Sequence, residues 1–99
     1  MAINLTGTWY NLITRDGDLR ITDNNGKLSF APVASDAWWS SGDGSWNQGE
    51  GNGENEQAPF FGTVTFRNNA NQTYTYNFCV ADNGERLWYS NGVPTGKRQ

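Results

Sequence analysis

Histidine is absent from the 99-residue sequence, and cysteine occurs once, at Cys79. Without histidine the chain cannot build a Ser-His-Asp or Cys-His catalytic site, and it offers no imidazole to a metal. A single thiol cannot form a disulfide within the chain, and Cys79 alternates with Phe78 and Val80 as residues of a strand do. We interpret Cys79 as a small structural residue and expect no metal and no cofactor.

Positive charge is also scarce. The seven Lys and Arg are scattered against ten Asp and Glu, which gives a net charge of -3. Nucleic-acid binding needs clustered cations, so we expect no nucleic-acid partner. No apolar run approaches the roughly 18 residues of a membrane span, and the first residues lack the basic and apolar regions of a signal peptide. We therefore expect a soluble, cytoplasmic protein with no membrane partner.

A helical period is missing too, since no window of about 11 residues repeats apolar positions every 3.6 residues. The length predicts one domain, 1–99. Turn dipeptides that tolerate positive φ occur at 16–17 (Asp-Gly), 25–26 (Asn-Gly) and 83–84 (Asn-Gly), which favours hairpins. The predicted strands are 5–14, 18–23, 27–31, 61–67, 72–80 and 86–90, with a further short one at 37–40.

The clearest alternation lies in the segment 72–80. Its apolar side carries Tyr74, Tyr76, Phe78 and Val80, and its polar side carries Thr73, Thr75, Asn77 and Cys79. A sheet with one apolar and one polar side closes naturally into a barrel. We predict an all-β fold, a small antiparallel up-and-down β-barrel of about six to seven strands. Residues 40–57, rich in glycine and acids, are predicted to form one long loop.

Two segments resemble a known family. GTWYN at residues 7–11 is similar to the opening strand of the avidin and streptavidin family of calycin-type β-barrels, and residues 62–69 resemble that family's central strand. The resemblance implies that Asn11 contacts the urea-like head of a small ligand inside the barrel. It also implies that Thr75 and Asn77 fall on the row where the family places hydroxyl contacts.

The sequence is rich in tryptophan and tyrosine and also in amides and carboxylates, a combination typical of sugar recognition. A sugar site needs an aromatic surface surrounded by amides and carboxylates. Trp9 stands mid-strand and is assigned to the core. In each adjacent pair, Trp38 with Trp39 and Trp88 with Tyr89, strand alternation sends one ring inward and one outward. The candidate ligand contacts are Trp38, Trp39, Asp43, Trp46, Asn47, Trp88 and Tyr89.

These observations favour a non-enzymatic carbohydrate-binding protein, a lectin, that acts as a homo-oligomer because multivalency strengthens weak sites. One alternative is an avidin-like binder of a small heterocycle such as biotin, using Asn11, Thr75 and Asn77. Another is a structural oligomerisation module whose aromatic residues bury an interface. A glycosidase is not expected, since most carboxylates lie in the glycine-rich segment, where no apolar neighbours would raise the pKa of one of them.

Overall fold

A computed structural model describes residues 3–11, 18–48, 61–89 and 94–99 of the chain. The described residues form eight strands, each antiparallel to its neighbour in sequence, and β8 pairs with β1 to close the sheet. A 3₁₀ turn at Asp82–Gly84 links β6 to β7. The strands are β1 (Gly7–Asn11), β2 (Leu19–Asn24), β3 (Lys27–Pro32), β4 (Trp39–Trp46), β5 (Gly62–Asn68), β6 (Thr73–Ala81), β7 (Arg86–Tyr89) and β8 (Pro94–Arg98).

The fold is the all-β, antiparallel up-and-down barrel that the sequence predicts, but its strands number eight rather than six to seven. The additional strands are β8 and nearly all of β4. The prediction of a loop from 40 to 57 is wrong for its first part, because Trp39–Trp46 is a strand that pairs with both β3 and β5. Residues 49–57 of that predicted loop lie outside the described residues.

The glycines of β4 explain why a segment of low strand propensity pairs on both sides. A Cβ on Gly42 would lie 2.9 Å from the Cβ of Phe30 and 3.0 Å from Cδ1 of Phe66, and a Cβ on Gly44 would collide with the carbonyl of Thr63. Glycine in a strand often marks such a close approach. The neighbouring strands therefore select glycine here, which local sequence patterns read as loop.

Inward-facing residues of successive strands form the core, but burial alternates along β6 less than predicted, since residues 73–75 are all exposed and residues 78–81 are all buried. Phe78 and Val80 are fully buried, Tyr76 is half-buried, and Tyr74 reaches solvent. On the other face of β6, Thr73, Thr75 and Asn77 are exposed. Cys79 is buried, as expected of a structural residue, and its burial raises the pKa of the thiol.

One end of the barrel, here called the Asp23 end, contains residues 3–6, the β2–β3 turn and the last residues of β4. Asp23 is 6% exposed and accepts three hydrogen bonds there. Its Oδ2 accepts from the backbone N–H of Leu5 and from Nε1–H of Trp46, both at 3.0 Å, and its Oδ1 accepts from the N–H of Gly26 at 2.9 Å. One carboxylate thus joins three segments that are distant in sequence.

Trp9 and Arg98 stabilise the same end. Trp9 is fully buried, as predicted, and its Nε1–H donates to the carbonyl of Leu5 at 2.9 Å. The guanidinium of Arg98 lies 4.7 Å from the centre of the Trp9 ring and donates to the carbonyls of Asn4, Thr6 and Gly84. A cation over an indole adds favourable electrostatic energy to these hydrogen bonds.

The other end, here called the Trp38 end, contains residues 33–38 between β3 and β4 and the turn 68–72 between β5 and β6. Two of the three predicted turns are confirmed by backbone angles. Asn25 and Gly26 have φ of 54° and 92°, and Asn83 and Gly84 have φ of 56° and 94°. The third, at 16–17, lies outside the described residues. No helix in the described part of the chain is long and apolar enough to cross a bilayer.

Candidate functional site

The described surface has a concave region of about 550 Å³ at the Asp23 end of the barrel. This volume falls within the range of small-ligand sites. We call it the polar cleft, since most of its side chains are amides or hydroxyls. It is lined by Asn25, Gly26, Lys27, Ser45, Trp46, Asn47, Phe61, Gly62, Thr63 and Asn77.

Strand register brings one row of the cleft together. Lys27 on β3 lies opposite Ser45 on β4, Ser45 lies opposite Thr63 on β5, and Thr63 lies opposite Asn77 on β6. All four side chains are on the outer face and exposed. Because directly opposite residues in antiparallel strands lie about 5 Å apart, the row forms a continuous polar strip across four strands.

The base of the cleft is held by hydrogen bonds from three connections. The N–H of Trp46 donates to the carbonyl of Gly26 at 2.9 Å, and the N–H of Asn47 donates to the carbonyl of Phe61 at 3.0 Å. The indole of Trp46 is anchored on Asp23 at 3.0 Å. The cleft is therefore preorganised, which lowers the entropic cost of binding a ligand.

Several polar groups of the cleft are not used by the fold. In the part of the chain that the structure describes, the side chains of Asn25, Lys27, Ser45 and Asn47 form no hydrogen bond or ion pair. Asn77 accepts from the hydroxyl of Thr63 at 3.1 Å through Oδ1, and its Nδ2 has no partner among the same residues. An amide offers donor and acceptor together, so these groups suit a ligand that carries several hydroxyls.

The structure corrects the roles expected of three aromatic residues. Trp39, Trp46 and Tyr89 are 2%, 6% and 1% exposed, and all three belong to the core. Trp39 packs edge to face on Phe66 with centroids 5.1 Å apart. Trp46 reaches the cleft only as part of its lining, since its N–H is already taken by Asp23. An exposed sugar-stacking role does not fit any of the three.

The expectation that one ring of each adjacent pair points inward is confirmed. Trp39 and Tyr89 are the buried members, while Trp38 and Trp88 are half-buried. Trp38 packs against Tyr74 with centroids 5.6 Å apart. Nε1 of Trp88 is buried without a hydrogen-bond partner.

The polar candidates of β4 to β6 are divided between the cleft and the row of outward-facing residues next to it. Asn47 and Asn77 line the cleft, and Asp43 is exposed on the next row of β4, opposite Thr65. Thr75 is exposed on the outer face, where its hydroxyl lies 2.9 Å from that of Thr65. Asn77 and Thr75 therefore do not line the barrel interior, because they belong to the set of alternate residues of β6 whose side chains point outward.

Asn11 is the last residue of β1 and pairs with Gly96 of β8, and its side chain lies outside the described part of the structure. The interior contains a different polar group. The hydroxyl of Tyr89 is buried without a hydrogen-bond partner and lies among aromatic rings, with ring centroids 6.0 to 6.3 Å from those of Phe66, Tyr76 and Phe78. Burial raises the pKa of Tyr89 well above the ordinary value of a phenol.

Sequence reasoning did not identify Asn25, Lys27, Ser45 and Thr63 as members of a site. These residues could have been identified only from the register of the strands. The Asn25-Gly26 hairpin fixes the pairing of β2 with β3, and the pairing of β5 with β6 places Asn77 opposite Thr63. This register was hidden because the strand between them, β4, was read as loop. The described residues contain no group of three or more acidic or cysteine side chains placed to hold a metal ion.

Comparisons of the chain with protein-family models, with curated proteins and with solved structures found no match. The closed antiparallel barrel is compatible with a calycin-type fold. Kinship with the avidin and streptavidin family rests on the sequence resemblance alone.

Proposed function

We propose that the protein binds carbohydrate, without catalysing a reaction, in the polar cleft. The observation that carries this proposal is a preformed concavity in which Asn25, Lys27, Ser45 and Asn47 make no side-chain hydrogen bond within the described part of the chain. Hydroxyl-rich ligands bind by replacing water on such donors and acceptors.

The aromatic part of the cleft fits the same ligand class. Phe61 is half-buried and contributes the accessible ring of the lining, whereas Trp46 borders the cleft but is only 6% exposed. Apolar surface next to amides matches the C–H patches and hydroxyls of a pyranose ring. Lectin sites of this size bind weakly, so we also propose that the protein acts as a homo-oligomer, which the mass of the native assembly would reveal.

A glycan array probed with the purified chain tests the proposal. The same array should be run with Asn47→Ala and Asn77→Ala, and the best-bound glycan should then be titrated by calorimetry. We expect each substitution to weaken binding by about tenfold, because each removes a hydrogen-bonding amide worth about 1.4 kcal/mol. Absence of binding to every glycan at high protein density would end the proposal.

Thr75→Ala is the matched control for Asn77→Ala. Thr75 lies two residues away on the same strand and the same exposed face, but it is outside the cleft lining. Its substitution should leave glycan affinity unchanged. Equal losses from Thr75→Ala and Asn77→Ala would show that the outer face of β6 is being perturbed rather than a site.

A second candidate function is binding of a small heterocycle such as biotin inside the barrel. The unpartnered, fully buried hydroxyl of Tyr89 favours it, because a ligand could supply the missing partner. Thr75 and Asn77 would play no part, since both face outward. Calorimetric titration with biotin discriminates: submicromolar affinity that Asn11→Ala abolishes would place this function first.

A structural oligomerisation module is the third candidate. It predicts a stable assembly by light scattering together with no response to any glycan or heterocycle.

A further inference from the structure

The Trp38 end carries a second surface on which aromatic rings and amides lie together. The rings of Trp38 and Tyr74 meet edge to face, and Tyr74 is 41% exposed. Tyr74 lies opposite Phe66 in the pairing of β5 with β6, so it belongs to the inner face of the sheet at the point where that face reaches solvent. We call Trp38, Tyr74 and the turn 68–72 the aromatic rim.

Three amides of the turn each use one end in a hydrogen bond to a backbone carbonyl or to a neighbouring side chain and present the other end. Asn69 donates through Nδ2 to the carbonyl of Ala37 at 3.2 Å, and Gln72 accepts through Oε1 from Asn68 at 3.0 Å. Asn71 accepts through Oδ1 from Arg67 at 3.1 Å. Within the described part of the chain, Oδ1 of Asn69, Nδ2 of Asn71 and Nε2 of Gln72 have no partner.

Hydrogen bonds also hold the rim in one arrangement. The N–H of Asn69 donates to the carbonyl of Trp38 at 3.3 Å, which ties the turn to the connection between β3 and β4. The side chain of Asn68 accepts from the N–H groups of Ala70 and Gln72 at 2.9 Å each and so closes the turn on itself. The rings and the amides are thus positioned together before any ligand arrives.

We propose that the aromatic rim is a second carbohydrate site, separate from the polar cleft, and that it takes neutral β-linked sugars of the gluco configuration. In these sugars every hydroxyl is equatorial, so both faces of the ring present axial C–H groups to an aromatic surface while the hydroxyls point to its edge. Donor and acceptor amides of the turn lie at that edge. The side chains of the rim itself, Trp38, Tyr74 and those of the turn 68–72, carry no charge, which favours a neutral ligand.

The size of the rim decides against a protein partner. A stable protein interface takes some 20 to 30 residues a side, whereas the aromatic surface here is two side chains next to one turn. The site is also distinct from the polar cleft. β5 runs from Gly62 in the cleft to Asn68 in the rim, a distance of roughly 20 Å at the rise of a strand.

Two sites at opposite ends would make a single chain divalent. A divalent chain can bridge two glycan strands, so this proposal supplies multivalency without requiring self-association. The proposal shares its ligand class with the function proposed for the cleft, but it rests on different residues and can succeed or fail alone.

Triacetylchitotriose and cellotriose are the probes, titrated into the full chain by calorimetry, with the indole N–H resonance of Trp38 followed by NMR. We expect Tyr74→Ala to weaken binding at least tenfold and Tyr74→Phe to retain most of it, since the ring makes the contact. Tyr10→Ala is the control, because Tyr10 is 47% exposed on β1, away from the rim. It should bind as the wild type does.

Asn77→Ala separates this proposal from the function of the cleft. If Tyr74→Ala reduces trisaccharide binding and Asn77→Ala does not, the result supports the rim, whatever the glycan array reports. Binding that only Asn77→Ala reduces overturns the rim and leaves the cleft standing. The proposal for the rim is also overturned if neither trisaccharide binds the wild-type chain at millimolar concentration. Circular dichroism of Tyr74→Ala verifies that this variant is folded.

Discussion

Trp9 and Trp46 at the Asp23 end of the barrel differ in role from Trp38 at the opposite end. Trp39, the neighbour of Trp38, belongs to the core as Trp9 and Trp46 do. At the Asp23 end, Trp9 and Trp46 are buried, and each indole N–H donates a hydrogen bond of 2.9 or 3.0 Å that stabilises the fold. At the Trp38 end, Trp38 is half-buried against an exposed tyrosine beside neutral amides. Abundance of tryptophan therefore does not mark a binding surface, and the partners of each indole must be known.

The largest effect should follow removal of the carboxylate that joins the Asp23 end. Asp23→Ala leaves the N–H groups of Leu5, Gly26 and Trp46 without their acceptor in a buried place. We expect a loss of about 3–5 kcal/mol in the free energy of unfolding, measured in urea. Asp23→Asn, which keeps one acceptor oxygen, should lose less. A loss under about 1 kcal/mol for Asp23→Ala would show that the two ends do not differ as described.

A smaller effect is expected for Trp46→Phe at the same end. The substitution removes the N–H that reaches Oδ2 of Asp23 and leaves a space where the larger ring lay. We expect a loss of about 2–3 kcal/mol in the free energy of unfolding. Thermal unfolding followed by circular dichroism measures it. An unchanged midpoint would mean that the indole only borders the cleft and does not support it.

Tyr74→Ala at the Trp38 end should cost about 1–2 kcal/mol, because the ring is 41% exposed and loses one edge-to-face contact together with part of a buried surface. The urea midpoint is again the measurement. A cost as large as that of Asp23→Ala would make the rim part of the structural core, and the contrast between the ends would disappear.

The smallest effect concerns the buried hydroxyl of Tyr89. Tyr89→Phe should change stability by at most about 1 kcal/mol near neutral pH, since the hydroxyl has no hydrogen-bond partner to lose. At high pH the free energies of unfolding of the wild type and Tyr89→Phe should diverge. The pKa of Tyr89 is raised in the folded state, so the folded protein holds this proton more tightly than the unfolded chain does.

The contribution of that proton is complete below pH about 10, the ordinary pKa of a phenol, and is lost as the pH rises further. Tyr89→Phe should therefore lose less stability than the wild type as the pH rises above about 10. Unfolding in urea at several pH values measures this, with Tyr10→Phe as a control that removes an exposed phenol. Parallel pH curves for the wild type and Tyr89→Phe would contradict the placement of the hydroxyl.

The sequence predicted the elements whose patterns are local. The alternation of β6 and the Asn25-Gly26 turn follow from side-chain parity and from the tolerance of asparagine and glycine for positive φ. The outward direction of Thr73, Thr75 and Asn77 was therefore predicted correctly, whereas Cys79, which was predicted on the same polar side, is buried. The inward assignment of Trp9 followed from the same parity.

The features that sequence reasoning missed depend on pairing between distant strands. β4 contains Gly42 and Gly44, and the absence of a Cβ there lets neighbouring strands approach closely. Phe30 and Phe66 lie against Gly42, and Thr63 lies against Gly44. A local sequence pattern cannot indicate these contacts. Once β4 was read as loop, Trp46 became an exposed candidate and the register of Ser45 with Thr63 could not be drawn. The role of Asp23 was missed for the same reason, since two of its three partners, Leu5 and Trp46, lie 18 and 23 residues away.

The most direct test of the account is an NMR titration of the ¹⁵N-labelled chain with the glycan that binds best on the array. The account predicts that the backbone and side-chain amide resonances of the polar cleft shift together, above all those of Gly26, Asn47 and Asn77. The backbone resonance of Tyr10, on β1 and outside both the cleft and the aromatic rim, should stay in place. A bound glycan that shifts neither Asn47 nor Asn77 would contradict the central claim that the unpaired amides of the cleft hold the sugar.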